Sequence, residues 1–73
     1  MAVFRNHDII NELISQEISL RKKHGMTQAV LAMKMGTTQS NIARFESGNY
    51  NPTLKFLNKM AKALGVTLHT TFE

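Results

Sequence analysis

The sequence predicts an all-α domain of four helices followed by a short C-terminal β-strand. Three observations carry that expectation. Apolar residues recur at helical spacing in four stretches. A capping residue precedes each stretch (Asp8, Thr27, Thr38, Thr53), and a glycine closes each (Gly25, Gly36, Gly48, Gly65). The final segment, "VTLHTTFE", changes period: Val66, Leu68, Thr70 and Phe72 face one way, and Thr67, His69 and Thr71 the other.

Taken in order, Met1 to His7 form a short arm with Val3 and Phe4 as its apolar residues. A first helix runs from about Asp8 to Lys23, on the spacing of Ile9, Ile10, Leu13, Ile14, Ile18 and Leu20. Its terminal lysines suit the negative end of the helix dipole. Glu17 interrupts the apolar row, and Ile10, Ile14 and Ile18 read as core, with a partner surface as the alternative. The second helix is about Gln28 to Met35, the third about Gln39 to Ser47. "NYNP" is a loop. Pro52 and Thr53 open a fourth helix in which Leu54, Leu57, Met60, Ala61 and Leu64 share a face. The whole, residues 1–73, is read as one domain: arm 1–7, the two short helices 27–48, tail strand 66–72.

A chain of 73 residues is one small domain, and a domain of this size buries only about 60% of the surface its unfolded chain exposes. It contains no cysteine, so there is no disulfide staple, thiolate metal ligand or cysteine nucleophile. A thin core without staples points to oligomerisation. No apolar run reaches membrane-spanning length and no signal peptide opens the chain, which fits a cytoplasmic protein without membrane association. His7, His24 and His69 lack zinc-site spacing, and the five methionines read as core filler. No phosphate-binding loop or nucleophile motif is present, so neither an enzyme nor a cofactor is expected, and no metal.

Charge is unevenly distributed. The net value is +4, yet from Ile18 to Phe72 eight Lys or Arg face a single acid, Glu46. Either these bases form a solvated surface or they meet a polyanion.

The second and third helices are short, and only Gly36, Thr37 and Thr38 lie between them. So tight a turn forces a steep crossing of two helices in contact. Ala32 supplies the small residue at the crossing, and Leu31 and Met35 supply the apolar face. In the third helix Ile42 and Phe45 define the buried side. At about 100° per residue the opposite side carries Ser40, Arg44 and Ser47, with Ala43 beside them and Gln39 at the exposed tip.

The stretch "TQAVLAMKMGTTQSNIARFESGNYNP" resembles the Xre-type helix-turn-helix module of lambdoid phage repressors and many bacterial regulators. The matching residues are Thr27-Gln28, Leu31-Ala32, Gly36, Gln39-Ser40, Ile42, Glu46, Gly48 and Pro52, and the resemblance extends from about Leu20 to Val66. It implies a lambda-repressor-like, four-helix DNA-binding fold. The chain's size and tail also resemble antitoxins of the HigA and HipB type. Departures from the pattern stand at Ala29 and Val30, where acids are common, and at Glu17, where an apolar residue is usual.

On this resemblance the third helix enters the major groove of double-stranded DNA, N-terminal residues toward the bases. Gln39 can pair with adenine N6 and N7 through both groups of its carboxamide, Ser40 can donate or accept, Ala43 can meet a thymine methyl, and Arg44 can reach guanine or a phosphate. Gln28, Lys34, Thr38 and Asn49 are expected on the DNA backbone, with buttressing of Gln39 as the alternative role of Gln28 and Thr38. The resemblance pairs Arg21 with Glu46 as a structural ion pair.

The expected function is sequence-specific DNA binding in transcription regulation, as a repressor. A narrower reading makes the chain an antitoxin, with a cognate toxin as partner, that represses its own promoter. The alternative is a protein-interaction module without a DNA-reading role. A lone strand leaves its backbone unpaired, so Val66, Leu68 and Phe72 are expected to join two copies into a homodimer. That symmetry calls for an inverted-repeat operator. The competing arrangements pair the tail with the arm of its own chain or leave it disordered until a toxin binds.

Overall fold

A computed structural model describes residues 6–67 of the chain. It contains four helices, α1 (Asn6–Lys23), α2 (Gln28–Met35), α3 (Gln39–Glu46) and α4 (Leu54–Ala63). α2 lies at the centre, against α3 on one side and α4 on the other, and α1 packs on α3.

Three of the four helix starts are built alike. The Thr27 hydroxyl oxygen accepts the Val30 N–H at 3.1 Å, Thr38 the Asn41 N–H at 3.1 Å, and Thr53 the Phe56 N–H at 3.0 Å. Each cap satisfies one of the donors a helix start leaves unpaired. α2 ends at Gly36, whose φ of 70° lies in the left-handed region. There the Thr37 N–H turns back to the Ala32 carbonyl at 2.9 Å. A side chain at Gly36 would strain that reversal, and the reversal is what lets α3 start only three residues after α2.

The core is centred on Leu31, Ile42 and Phe45, all fully buried. Ile14, Ala32, Met35, Phe56, Met60 and Leu64 close around them. Ile10 and Ile18 pack at its edge rather than within it.

Several sequence-based expectations need correction. α1 begins at Asn6, so Asp8 lies inside the helix and does not precede it. Leu54 does not join the buried face of α4: it is 62% exposed, because it sits in the first turn at the margin of the apolar stripe. The stripe is instead completed by Phe56, which is buried. Met33 is no core filler either; it is 73% exposed. Among the described residues there is no strand. Val66 and Thr67 are irregular, and Leu68 to Phe72, the remainder of the expected strand, lie outside the described residues. The arm 1–5 lies outside them as well.

Candidate nucleic-acid interface

α3 is held from behind. Ile42 and Phe45 fix its inner side in the core, and Phe45 stacks obliquely on Phe56, ring centroids 5.7 Å apart. With its back immobilised, the helix presents Gln39, Ser40, Arg44 and Ser47 exposed to solvent, with Ala43 half-buried beside them. At the tip, the Asn41 amide donates to the Thr37 hydroxyl at 3.0 Å. That bond ties the turn to the first helical turn and leaves the outward side of Gln39 and Ser40 clear.

Arg44 is aimed by an aromatic ring. Its guanidinium carbon lies 5.5 Å from the centroid of Tyr50, and Tyr50 in turn stacks on Phe56 at 4.8 Å. A cation over an aromatic face is attracted to the ring quadrupole, and among the described residues no hydrogen bond occupies the N–H donors of the exposed Arg44 side chain. The chain Phe45–Phe56–Tyr50–Arg44 therefore runs from the core to the surface. Neither Tyr50 nor Phe56 stands out in the sequence: "NYNP" has no periodicity to flag its tyrosine, though an aromatic five to six residues after an exposed arginine is a signal that could be sought. The Arg44 carbonyl accepts from the Ser47 hydroxyl at 3.0 Å and from the Asn49 N–H at 2.9 Å. The Asn49 side-chain amide donates to Ser47 at 3.2 Å, so Asn49 is anchored at the foot of α3.

Behind α3 lies a second polar cluster with a different character. Arg21 Nε donates to Glu46 Oε2 at 2.9 Å, and Nη2 to Oε1 at 3.0 Å. Nη1 donates to the Met26 carbonyl at 3.0 Å. Gln28 Nε2 also donates to Glu46 Oε1, at 3.0 Å. The cluster thus joins α1, the loop before α2, α2 and α3. Gln28 has one amide N–H committed to Glu46, while its carbonyl oxygen is left for another donor. Thr38 spends an acceptor site on its cap, and among the described residues its hydroxyl proton has no partner. Lys34 is exposed on the last turn of α2.

Glu17 is the member of this cluster that sequence reasoning noticed only as an anomaly. It is 2% exposed. The Arg21 Nε hydrogen goes to Glu46, so Arg21 passes Glu17 Oε2 at 3.4 Å without a hydrogen bond, and both Glu17 oxygens lack a partner. Burial, reinforced by the neighbouring Glu46 carboxylate, pushes the Glu17 carboxyl up to about 8. Glu46 shifts the opposite way. Burial works against its charge, but the hydrogen bonds from Arg21 and Gln28 and the neighbouring Glu17 carboxyl outweigh that and hold it below the usual carboxylate range. Arg21 is held more firmly protonated, chiefly by its bond to Glu46. The consistent state at neutral pH is a protonated Glu17 beside an ionised Glu46. Glu17 therefore adds no negative charge, and that of Glu46 is matched by Arg21.

Among the described residues, no group of acidic or histidine side chains is placed to hold a metal ion. No helix there is long and apolar enough to cross a membrane.

Two short helices in tight contact, the second pinned inward and polar outward, define a helix-turn-helix. The chain belongs to the helix-turn-helix family whose model matches residues 18–70, and it is a regulator-type domain rather than an enzyme. It is 40% identical over 52 residues to an uncharacterized HTH-type transcriptional regulator of Methanocaldococcus jannaschii, covering 71% of this chain and 79% of the relative. A similarly described protein of Archaeoglobus fulgidus is 38% identical, with 71% and 74% covered. The immunity repressor protein of Bacillus phage phi105 is 40% identical over 48 residues, which are 66% of this chain but only 33% of the repressor. No solved structure is significantly similar to the chain.

Proposed function

We propose that this chain is a sequence-specific double-stranded DNA-binding transcriptional regulator, acting as a repressor in the cytoplasm. One observation carries the reading above others. The outward end of α3 offers Gln39, Ser40 and Arg44 with exposed polar side chains and no side-chain hydrogen bond among the described residues, while Thr38, Asn41, Glu46 and Ser47 are engaged in a cap, local turn contacts or the Arg21–Glu46 cluster. A carboxamide, a hydroxyl and a guanidinium on one helix end match the donor and acceptor pattern of the major groove. Gln39, Ser40, Ala43 and Arg44 read bases. Lys34, Thr38, Asn49 and the remaining polar capacity of Gln28 meet the backbone. Relatives described as HTH-type transcriptional regulators, and one as an immunity repressor, support the reading.

Residues 1–73 act as one domain, and two copies bind one operator. Alternation in residues 66–72 supports pairing of the tails through Val66, Leu68 and Phe72, antiparallel across a two-fold axis. Two recognition helices about 34 Å apart then face successive major grooves, and the operator is an inverted repeat. Light scattering tests this: the full chain must be a dimer at tens of micromolar, and removal of residues 66–73 must yield a monomer. The narrower antitoxin reading rests on the same short chain and alternating tail; co-purification with the product of an adjacent small gene tests it. Binding of the chain to DNA with a steep salt dependence separates the regulator from a pure protein-interaction module, which would show none.

A further inference from the structure

We propose that an apolar groove between α1 and α4 is the seat of Phe72 of a second copy, so that each copy's tail completes the other's core. α1 packs on α3 and α4 on α2, which leaves the seam between α1 and α4 open. Leu13 and Leu20 form one wall of the groove and Leu57 and Ala61 the other, with Val66 at its open end. Leu13, Leu20 and Leu57 are only half-buried, and Val66 is 40% exposed. Glu17 also lines the groove, and its carboxyl is held protonated, so no charge stands against the apolar walls. No α3 residue lines it, and a copy that covers it leaves the reading end of α3 clear.

The occupant follows from where the groove opens. Val66 and Thr67, at its mouth, lead directly into residues 68–73, whose large apolar side chains are Leu68 and Phe72. The inference rests on the tail-paired dimer, and that dimer dictates where Phe72 lands. Antiparallel pairing of 66–72 with its own copy across a two-fold axis is centred on His69. It sets Val66 opposite the second copy's Phe72, and Leu68 opposite its Thr70. A register shifted by one residue would instead set Val66 opposite Thr71 and Leu68 opposite His69, against the apolar pattern. Directly opposed residues share a face, with Cβ atoms about 5 Å apart. The second copy's Phe72 therefore returns to Val66, at the mouth of the groove. A chain's own Phe72, six residues farther along an extended strand, is carried about 20 Å away from it. The groove holds about 70 Å³, roughly half of the ~150 Å³ that encloses a benzene. It takes one side of a phenyl ring and leaves the other to be covered by the paired tails.

The test is isotope-filtered NMR on an equal mixture of isotope-labelled and unlabelled full chain, at a concentration where light scattering reads the dimer. Nuclear Overhauser contacts are expected between the Phe72 ring protons of one copy and the Leu13 and Leu57 methyls of the other. Phe72→Ala is expected to keep the wild-type helix content by circular dichroism. It should raise the dimer dissociation constant about a hundredfold or more, since two rings are unseated at once. A dimer in which those contacts are missing, or arise within one copy, overturns the proposal. So does a Phe72→Ala chain that dimerises at full strength. Failure of the tail-paired dimer itself looks different: the wild-type chain then scatters as a monomer, and both readings fall.

Discussion

Arg21 and Arg44 flank the same short helix and have opposite fates. Arg21 gives its donors to Glu46 on α3 and to the Met26 carbonyl, and it is largely buried. Arg44 makes no ion pair among the described residues; its guanidinium lies over the Tyr50 ring and its side chain is exposed to solvent. The difference teaches how to separate a structural cation from a reading one. A guanidinium engaged edge-on by a carboxylate is finished as a ligand. One held only over an aromatic ring keeps its donors for something else.

The largest expected effect breaks the Arg21 side of the comparison. Replacing Glu46 with Ala leaves the Arg21 guanidinium and Gln28 amide facing a gap, and should destabilise the fold by about 2–4 kcal/mol. Chemical denaturation measures it. Because the pair is bidentate and mostly buried, a double-mutant cycle between Arg21 and Glu46 should show coupling above about 1 kcal/mol. Zero coupling would mean that the two residues are solvated independently.

Glu17 sharpens the comparison through pH. Its folded-state pKa of about 8 lies above the ordinary 4.5, so the folded chain holds a proton that the unfolded chain releases. That contribution is complete below pH 4.5 and is lost as pH rises toward 8. The depressed Glu46 acts in the other direction, with stability lost as pH falls below the ordinary carboxylate range. Thermal stability should therefore peak near pH 5 and decline toward pH 8. Glu17→Gln, which keeps the shape and removes the titration, should flatten the decline. A melting profile that falls as steeply in Glu17→Gln as in wild type would assign the pH dependence elsewhere.

On the Arg44 side effects should fall on binding and spare stability. Arg44→Ala should weaken operator binding by about 1–3 kcal/mol while leaving the melting temperature within about 2 °C, as an exposed side chain should. Tyr50→Leu keeps an apolar contact with Phe56 but removes the ring beneath Arg44. It should cost about 0.5–1 kcal/mol of binding and nothing further in an Arg44→Ala background. An additive loss there would give Tyr50 a contact of its own with DNA.

The same two arginines show what was legible in the sequence. α2 to α4 could be bounded closely because each starts at a threonine cap and turns at a glycine, signals that act within a few residues. Ile42 and Phe45 follow from helical period alone. Pairing Arg21 with Glu46 spans 25 positions, and spacing cannot reveal such a contact; only the family pattern suggested it. Nothing local marks Tyr50, whose role depends on where the loop returns over Phe56. Leu54 and Met33 read as buried on apolar character alone, yet a first-turn or outward-facing position stays exposed whatever its hydropathy. Glu17 breaks the apolar row without showing why; its raised pKa follows from burial and from α3 bringing a second carboxylate alongside.

The central claim is that the outward end of α3 reads DNA sequence, and Gln39 tests it most directly. Wild-type chain and Gln39→Ala would each be used to select binders from a random duplex pool, read by sequencing. The account predicts an inverted-repeat motif for the wild type. For Gln39→Ala it predicts the same motif with specificity relaxed at one or two positions per half-site, at a cost of about 1–3 kcal/mol per contact. An identical motif and affinity for the two proteins would contradict it, and α3 would not be the reader.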